Sequence, residues 1–258
     1  MIARLSSIAF NTYREAVRER VLYNLIAFAL LLIGSSLLFG RISIGVEKVI
    51  LINLGLTAIS VFGVIIAVFI GIGLVSKDID RRTLYTVLAR PVRRWEVIVG
   101  KFLGLAGTLA INTLFMSIGL FTALLVLTRR FVHADLAIVA AIWMVLLQLF
   151  IIVAFSLLFS TFSTPILSAI FSFVIFIMGN FNDDLWAYAQ GVEGAERFAL
   201  RVAGVVLPNL SQMNVASRAA HGAAISANTV ALATGYTAAY VAALLTLATF
   251  IFQRRSLK

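Results

Sequence analysis

The side chains able to do chemistry are few, and their spacing is wrong for catalysis. There is no Cys, which excludes thiolate nucleophiles, disulfides, Fe–S ligation and thiolate metal sites on this chain. His133 and His221 stand far apart, and neither has a second His at helical spacing, so a zinc site lacks ligands. Both fall at or beyond one predicted membrane boundary, which deprives an intramembrane serine protease of its base. Gly100-Lys101 is the only string like a nucleotide motif. A P-loop needs Ser or Thr after the Lys, and Phe102 stands there, so ATP hydrolysis by that route is closed. The eleven acidic residues fall in loops or within a turn of an apolar segment's end. An ion-coupled carrier would place ionisable groups within its spans. Asn53, Asn112 and Gln148 are the amides left inside the apolar runs, where interhelical hydrogen bonds are their expected role. No catalytic residue, cofactor or metal site is expected on this chain.

The elements that carry these residues are long and apolar. Of 258 residues, 62% are hydrophobic and 12% charged, and the mean hydropathy is +1.05. A soluble domain is roughly half apolar and about a quarter charged. The composition predicts one all-α membrane domain over 1–258. Crossing the hydrocarbon takes about 20 apolar residues, and six stretches qualify, near 21–39, 49–75, 97–127, 137–159, 164–181 and 228–252. The first is not read as a cleaved leader, because a long charged segment precedes it and no small-residue cleavage site follows.

The net charge of +10 reports orientation rather than a nucleic-acid partner. With both termini inside, fourteen Lys and Arg lie on the cytoplasmic side and seven outside. That bias predicts a multi-pass protein of the cell (inner) membrane with cytoplasmic N- and C-termini. Residues 1–20 set Ile2, Leu5, Ala9, Tyr13 and Ala16 on one side of a helix and Arg4, Asn11, Arg14, Glu15 and Arg18 on the other. This is the pattern of an interfacial helix. The external loop, 180–227, begins with Asn182, Asp183 and Asp184, expected to cap an amphipathic helix over WAYAQGVEGAERFALRVAGVV. Pro208-Asn209 then breaks the chain, giving short helices or a partly re-entrant pair.

The main cytoplasmic loop, 76–96, lies in SKDIDRRTLYTVLARPVRRWEVIVGK, which holds seven Lys and Arg. Asp80 is placed to cap a short helix running to Ala89, with Leu84, Val87 and Leu88 as an apolar ridge and Arg81, Arg82 and Tyr85 around it. Pro91 ends that helix and biases Arg90 away from it. A loop that only fixed topology would need the charges alone; the ridge, cap and proline point to docking. Arg93, Arg94 and Lys101, with Arg14 and Arg18, are expected to anchor at anionic headgroups. Gly100, Gly104 and Gly107 let another helix approach closely, and Gly71 and Gly73 read the same way. The Phe-rich run from Phe150 to Phe176 is read as packing.

The interfacial NTYREAVRERVLYN, the loop DIDRRTLYTVLARPVRRWEVIVGKFLG, and LPNL with the stretch from Asn214 to Gly222 together resemble the permease subunits of ABC-2-type ATP-binding-cassette transporters. The six-span order extends the resemblance over the whole chain. It implies a type V exporter-like permease working as a homodimer or heterodimer, each subunit docked on a cytoplasmic ATPase that binds ATP and Mg. The first segment would be the elbow helix, and the helix from Asp80 to Ala89 the coupling helix. The substrate path would run at the dimer interface, among membrane lipid, and the outer loop would cap the exit. The loop resembles most the branch associated with multicopper-enzyme and nitrous oxide reductase maturation. The chain has no Cys, no His pair and five dispersed Met, so the substrate stays open. A secondary transporter acting alone and a non-transporting scaffold are the rival readings.

Overall fold

The most uniformly apolar helix is the one that sits at the centre. The run Leu136–Ser160 has no charged residue and no polar face, and a helix apolar all round must be kept from water by lipid or by its neighbours. In a computed structural model of the chain, which describes residues 2–42, 45–80, 94–129 and 135–254, that run is the hub of a helical bundle. Every regular element among the described residues is helical: α1 (Ile2–Val17), α2 (Arg20–Ile42), α3 (Glu47–Asp80), α4 (Arg94–Thr128), α5 (Leu136–Ser160), α6 (Pro165–Asn180), α7 (Asn182–Gly191), α8 (Ala195–Val206), a 3-10 turn at Ser211–Met213, α9 (Ala216–Ala220) and α10 (Ala227–Arg254). The central α5 touches α3, α4, α6, α9 and α10.

Among the described residues four segments are long and apolar enough to cross a membrane: Glu47–Gly73, Trp95–Thr128, Leu136–Phe162 and Ala227–Gln253. They coincide with four of the six expected spans. The other two enter as arms of bent pairs, Leu5–Val17 with Leu22–Leu37 at 64° and Pro165–Asn180 with Asn182–Gly191 at 62°. α6 alone has 16 residues, about 24 Å of helix against roughly 30 Å of hydrocarbon.

Close approach follows the small residues. α3 runs parallel to α5, with Gly63 under Leu149 and Gly71 under Ser156, where an added side-chain carbon would fall 3.0 Å from Ser156 Cβ. Gly71 therefore packs as expected, whereas Gly73 has nothing within 4 Å. Ser156 Oγ donates to Ser172 Oγ at 3.1 Å, tying α5 to an antiparallel α6. Beside it Phe155, Phe159, Phe162 and Phe171 form a chain of ring contacts 5.5–5.9 Å apart, which is packing. Carried along the same antiparallel register, α6 ends at Asn180 beside Gln148, half-way along α5.

Beyond that point the chain folds back over α6. Asn182 does not cap α7: Phe181 takes that place, and Asn182 is buried with its Nδ2 donating to the carbonyls of Gly204 at 3.1 Å and Leu207 at 3.3 Å. The expected single amphipathic helix is split in two by Gly194, whose φ of 72° belongs to the left-handed region that glycine tolerates. α8 lays Gly204 against the Trp186 ring and leaves Phe198, Val202, Val205 and Val206 exposed on its opposite side.

Candidate functional site

At the end of the bundle where α4 begins and α10 finishes, α1 is seated on α4 by the absence of side chains. A carbon added at Gly100 would fall 2.7 Å from Ile8 Cγ2, and one at Gly104 would fall 2.5 Å from the Ala9 carbonyl oxygen and 2.7 Å from Thr12 Cβ. The two glycines, one turn apart, form the groove that receives Ile8, Ala9 and Thr12. Gly107 plays no part in it, having nothing within 4 Å. The buried ridge of α1 includes Thr12 and Ala16, while Asn11, Arg14 and Arg18 stay exposed.

The expected roles of the basic residues here need one correction. Lys101 is only 8% exposed, on the stretch of α4 that receives α1, so protein encloses it where an exposed anchor was expected. Glu96, one turn and a half before it, is equally enclosed at 4%. Sequence treated both as loop-end charges, and nothing in the spacing marks them as buried. Asp80 is the last residue of α3, and Arg94 opens α4. Arg81, Arg82, Leu84, Tyr85, Val87, Leu88, Pro91 and Arg93 lie outside the described residues.

At the far end of the bundle, the segment from Leu207 to Ala220 is drawn into it. Leu207, Leu210, Met213, Val215, Ala219 and Ala220 are all buried. The turn forms here because Pro208 cannot continue a helix and the Asn209 side chain holds the next three residues in place. Asn209 Oδ1 accepts from Ser211 Oγ at 2.6 Å and from the Gln212 N–H at 3.3 Å, and its Nδ2 donates to Asp183 Oδ1 at 3.2 Å. α10 holds the same turn from outside: the Asn209 N–H donates to Tyr236 Oη at 3.0 Å, and Tyr240 Oη donates to the Val206 carbonyl at 2.6 Å. α6 holds it from beneath, where the Leu210 N–H donates to the Gly179 carbonyl at 3.0 Å. The i, i+4 tyrosine pair was the signal sequence reasoning missed.

Nearby, Lys48 Nζ donates to Asp135 Oδ1 at 2.6 Å, joining the starts of α3 and α5. Asp135 is buried and Lys48 about one-third exposed. Asp135→Asn should therefore lower stability by about 1–2 kcal/mol, the range of a charge-assisted hydrogen bond reduced for that exposure. Thermal unfolding of Asp135→Asn, Lys48→Gln and the double variant checks this. The double variant should cost less than the two singles together.

A family model described as ABC-2 family transporter protein matches residues 3–257. The chain belongs to the ABC-2 transporter family. No curated protein matches it. The long apolar helices of this ABC-2 chain accord with a multi-pass membrane permease. Sequence-predicted residues meet in two regions of the ABC-2 chain: the glycine groove with α1, and the LPNL turn against α6 and α10. The interior amides behave differently from expectation. Asn112 Nδ2 and Gln148 Nε2 are buried with no hydrogen-bond partner, in place of the interhelical bonds their types suggested. Among the described residues no group of three or more His, Cys, Asp or Glu is placed to hold a metal ion.

Proposed function

We propose that the chain is the permease subunit of an ATP-binding-cassette exporter of the inner membrane. The observation that carries this is the family match over residues 3–257, together with the seating of α1 on the base of α4. On this reading there are six spans, α2, α3, α4, α5, α6 and α10, with both termini cytoplasmic. α1 is the elbow helix in the cytoplasmic interface, where Arg14, Arg18, Arg93 and Arg94 meet anionic headgroups. α7 and α8 lie at the outer interface, and the exposed Phe198, Val202, Val205 and Val206 contact lipid.

ATP and Mg are bound by a separate cytoplasmic ATPase, and this chain supplies no catalytic group. Its coupling element is the segment Asp80, Arg81, Arg82, Leu84, Tyr85, Val87, Leu88 to Pro91, with the leucine and valine ridge seated in a groove of the ATPase. Closure of two ATPases pushes that segment. Because it leads directly into α4, and α4 carries α1 in its glycine groove, the push moves both helices as one body. The path opens at the interface between two permease subunits. The reading of its branch rests on the resemblance of the loop to that of the multicopper-enzyme maturation permeases.

Leu84→Asp with Leu88→Asp tests the assignment. Each leucine in a closed groove contributes about 1.5–3 kcal/mol, so losing both should weaken ATPase capture by roughly a hundredfold or more. Co-purification and ATP-dependent flux in liposomes are the measurements. A double variant that still captures the ATPase fully and transports normally overturns the coupling role, and flux driven by an ion gradient with no ATPase present favours a secondary transporter.

A further inference from the structure

Half-way along the bundle, where α6 stops short, a cavity of about 140 Å³ opens between α3, α5, α6 and the segment at 214–216. Gln148, which lines it, stands twelve residues from either end of α5, about 18 Å of helix each way. A glutamine at that depth is costly unless its amide is bonded. Its Nε2 has no partner and the residue is 3% exposed. Four more polar side chains line the same space: Thr57, Ser60, Asn180 and Asn214. Asn180 Nδ2 is committed to the Phe176 carbonyl at 2.9 Å, which leaves Oδ1 as its acceptor. Leu56, Val145 and Phe176 supply apolar walls, and Thr57 and Asn214 are exposed at the mouth.

These observations specify a ligand. Every polar lining group among the described residues is neutral, so a charged guest would be desolvated without compensation. The unpaired amide N–H requires an acceptor, and rotation about the broad terminal torsion of Gln148 can turn it toward one. The volume is close to the ~150 Å³ that encloses a benzene-sized molecule.

We propose that this cavity is a binding site for a neutral hydroxyl- or carbonyl-bearing group, held by the Gln148 amide with Ser60 and Asn180. Identifying that group as part of the transported substrate rests on the permease reading. Binding itself does not. The group could belong to a small solute or to the glycerol-ester region of a lipid, and the two sources share this chemistry.

The test uses the full chain purified in detergent, with no ATPase or nucleotide, so its outcome is independent of coupling. The probe is a diazirine-bearing hexanol, photolysed and mapped by peptide mass spectrometry. Labels should concentrate on peptides containing 57–60, 145–148 and 176–180. Displacement by glycerol assigns the site to a solute, and displacement by a monoacylglycerol assigns it to a lipid. Gln148→Leu should cut labelling at least fivefold. It should also leave the melting temperature unchanged or raise it by about 2–4 °C, because an unsatisfied buried amide is removed. A purely structural glutamine would lower stability instead. Ser60→Ala, a smaller change, should cut labelling partially. Labels spread over the outward faces of α2, α4 and α10, or Gln148→Leu and Ser60→Ala both labelling like the parent, overturn the proposal.

Discussion

Gly104→Val should lower the melting temperature of the purified chain by about 5–10 °C, corresponding to roughly 2–3 kcal/mol of overpacking. The reason is the kind of atom in the way. The first carbon of the new side chain would fall 2.5 Å from the Ala9 carbonyl oxygen, part of a helix backbone that cannot rotate aside. Thr12 Cβ, at 2.7 Å, is fixed to the same helix. α1 must then move away from α4 as a unit, uncovering Thr12 and Ala16. Hydrogen exchange across 2–17 should accelerate while α5 stays protected. Gly107→Ala provides the contrast. It meets nothing within 4 Å, and alanine favours helix by up to about 1 kcal/mol over glycine, so its melting temperature should hold or rise. Equal losses at the two positions would show that the groove is not what seats α1.

Gly179→Val should release the Leu207–Ala220 segment from the bundle. A carbon there would fall 2.8 Å from Leu210 Cδ1 and 2.9 Å from the Pro208 carbonyl oxygen, on the residue that also accepts the Leu210 N–H at 3.0 Å. Leucine can swing, but the carbonyl and the hydrogen bond cannot both be kept. Met213 is buried beneath the turn, and the chain has no Cys. Met213→Cys therefore introduces a single reporter thiol. Destabilising the closed turn by about 2 kcal/mol should speed maleimide labelling of that thiol by roughly thirtyfold. Labelling that stays slow would show the segment is held by Asn209, Tyr236 and Tyr240 without help from Gly179.

Both experiments address contacts between elements that sequence located but could not join. Hydropathy was enough for α3, α4, α5 and α10, because about 20 uninterrupted apolar residues have few alternatives to a membrane helix. α6 was legible as apolar but not as short: its end at Asn180 depends on the fold-back of Leu207–Ala220, which no local pattern encodes. The interior amides show the same division. Residue type suggested mutual hydrogen bonds for Asn112 and Gln148, whereas the packing left both without partners, Gln148 beside a cavity. Lys101 looked like a headgroup anchor because it follows a basic loop, whereas the fold buries it.

By itself, then, the sequence determined a helical membrane chain, the lack of any thiol, and the small residues at which helices could approach. These are consequences of composition and spacing. Only the tertiary structure decided which helix enters the groove at Gly100 and Gly104, why Gly107 is idle, and where a polar space forms at mid-depth. Those depend on which surfaces face each other across long separations in the chain, and a hydrophobic helix accepts many neighbours until packing of particular side chains selects one.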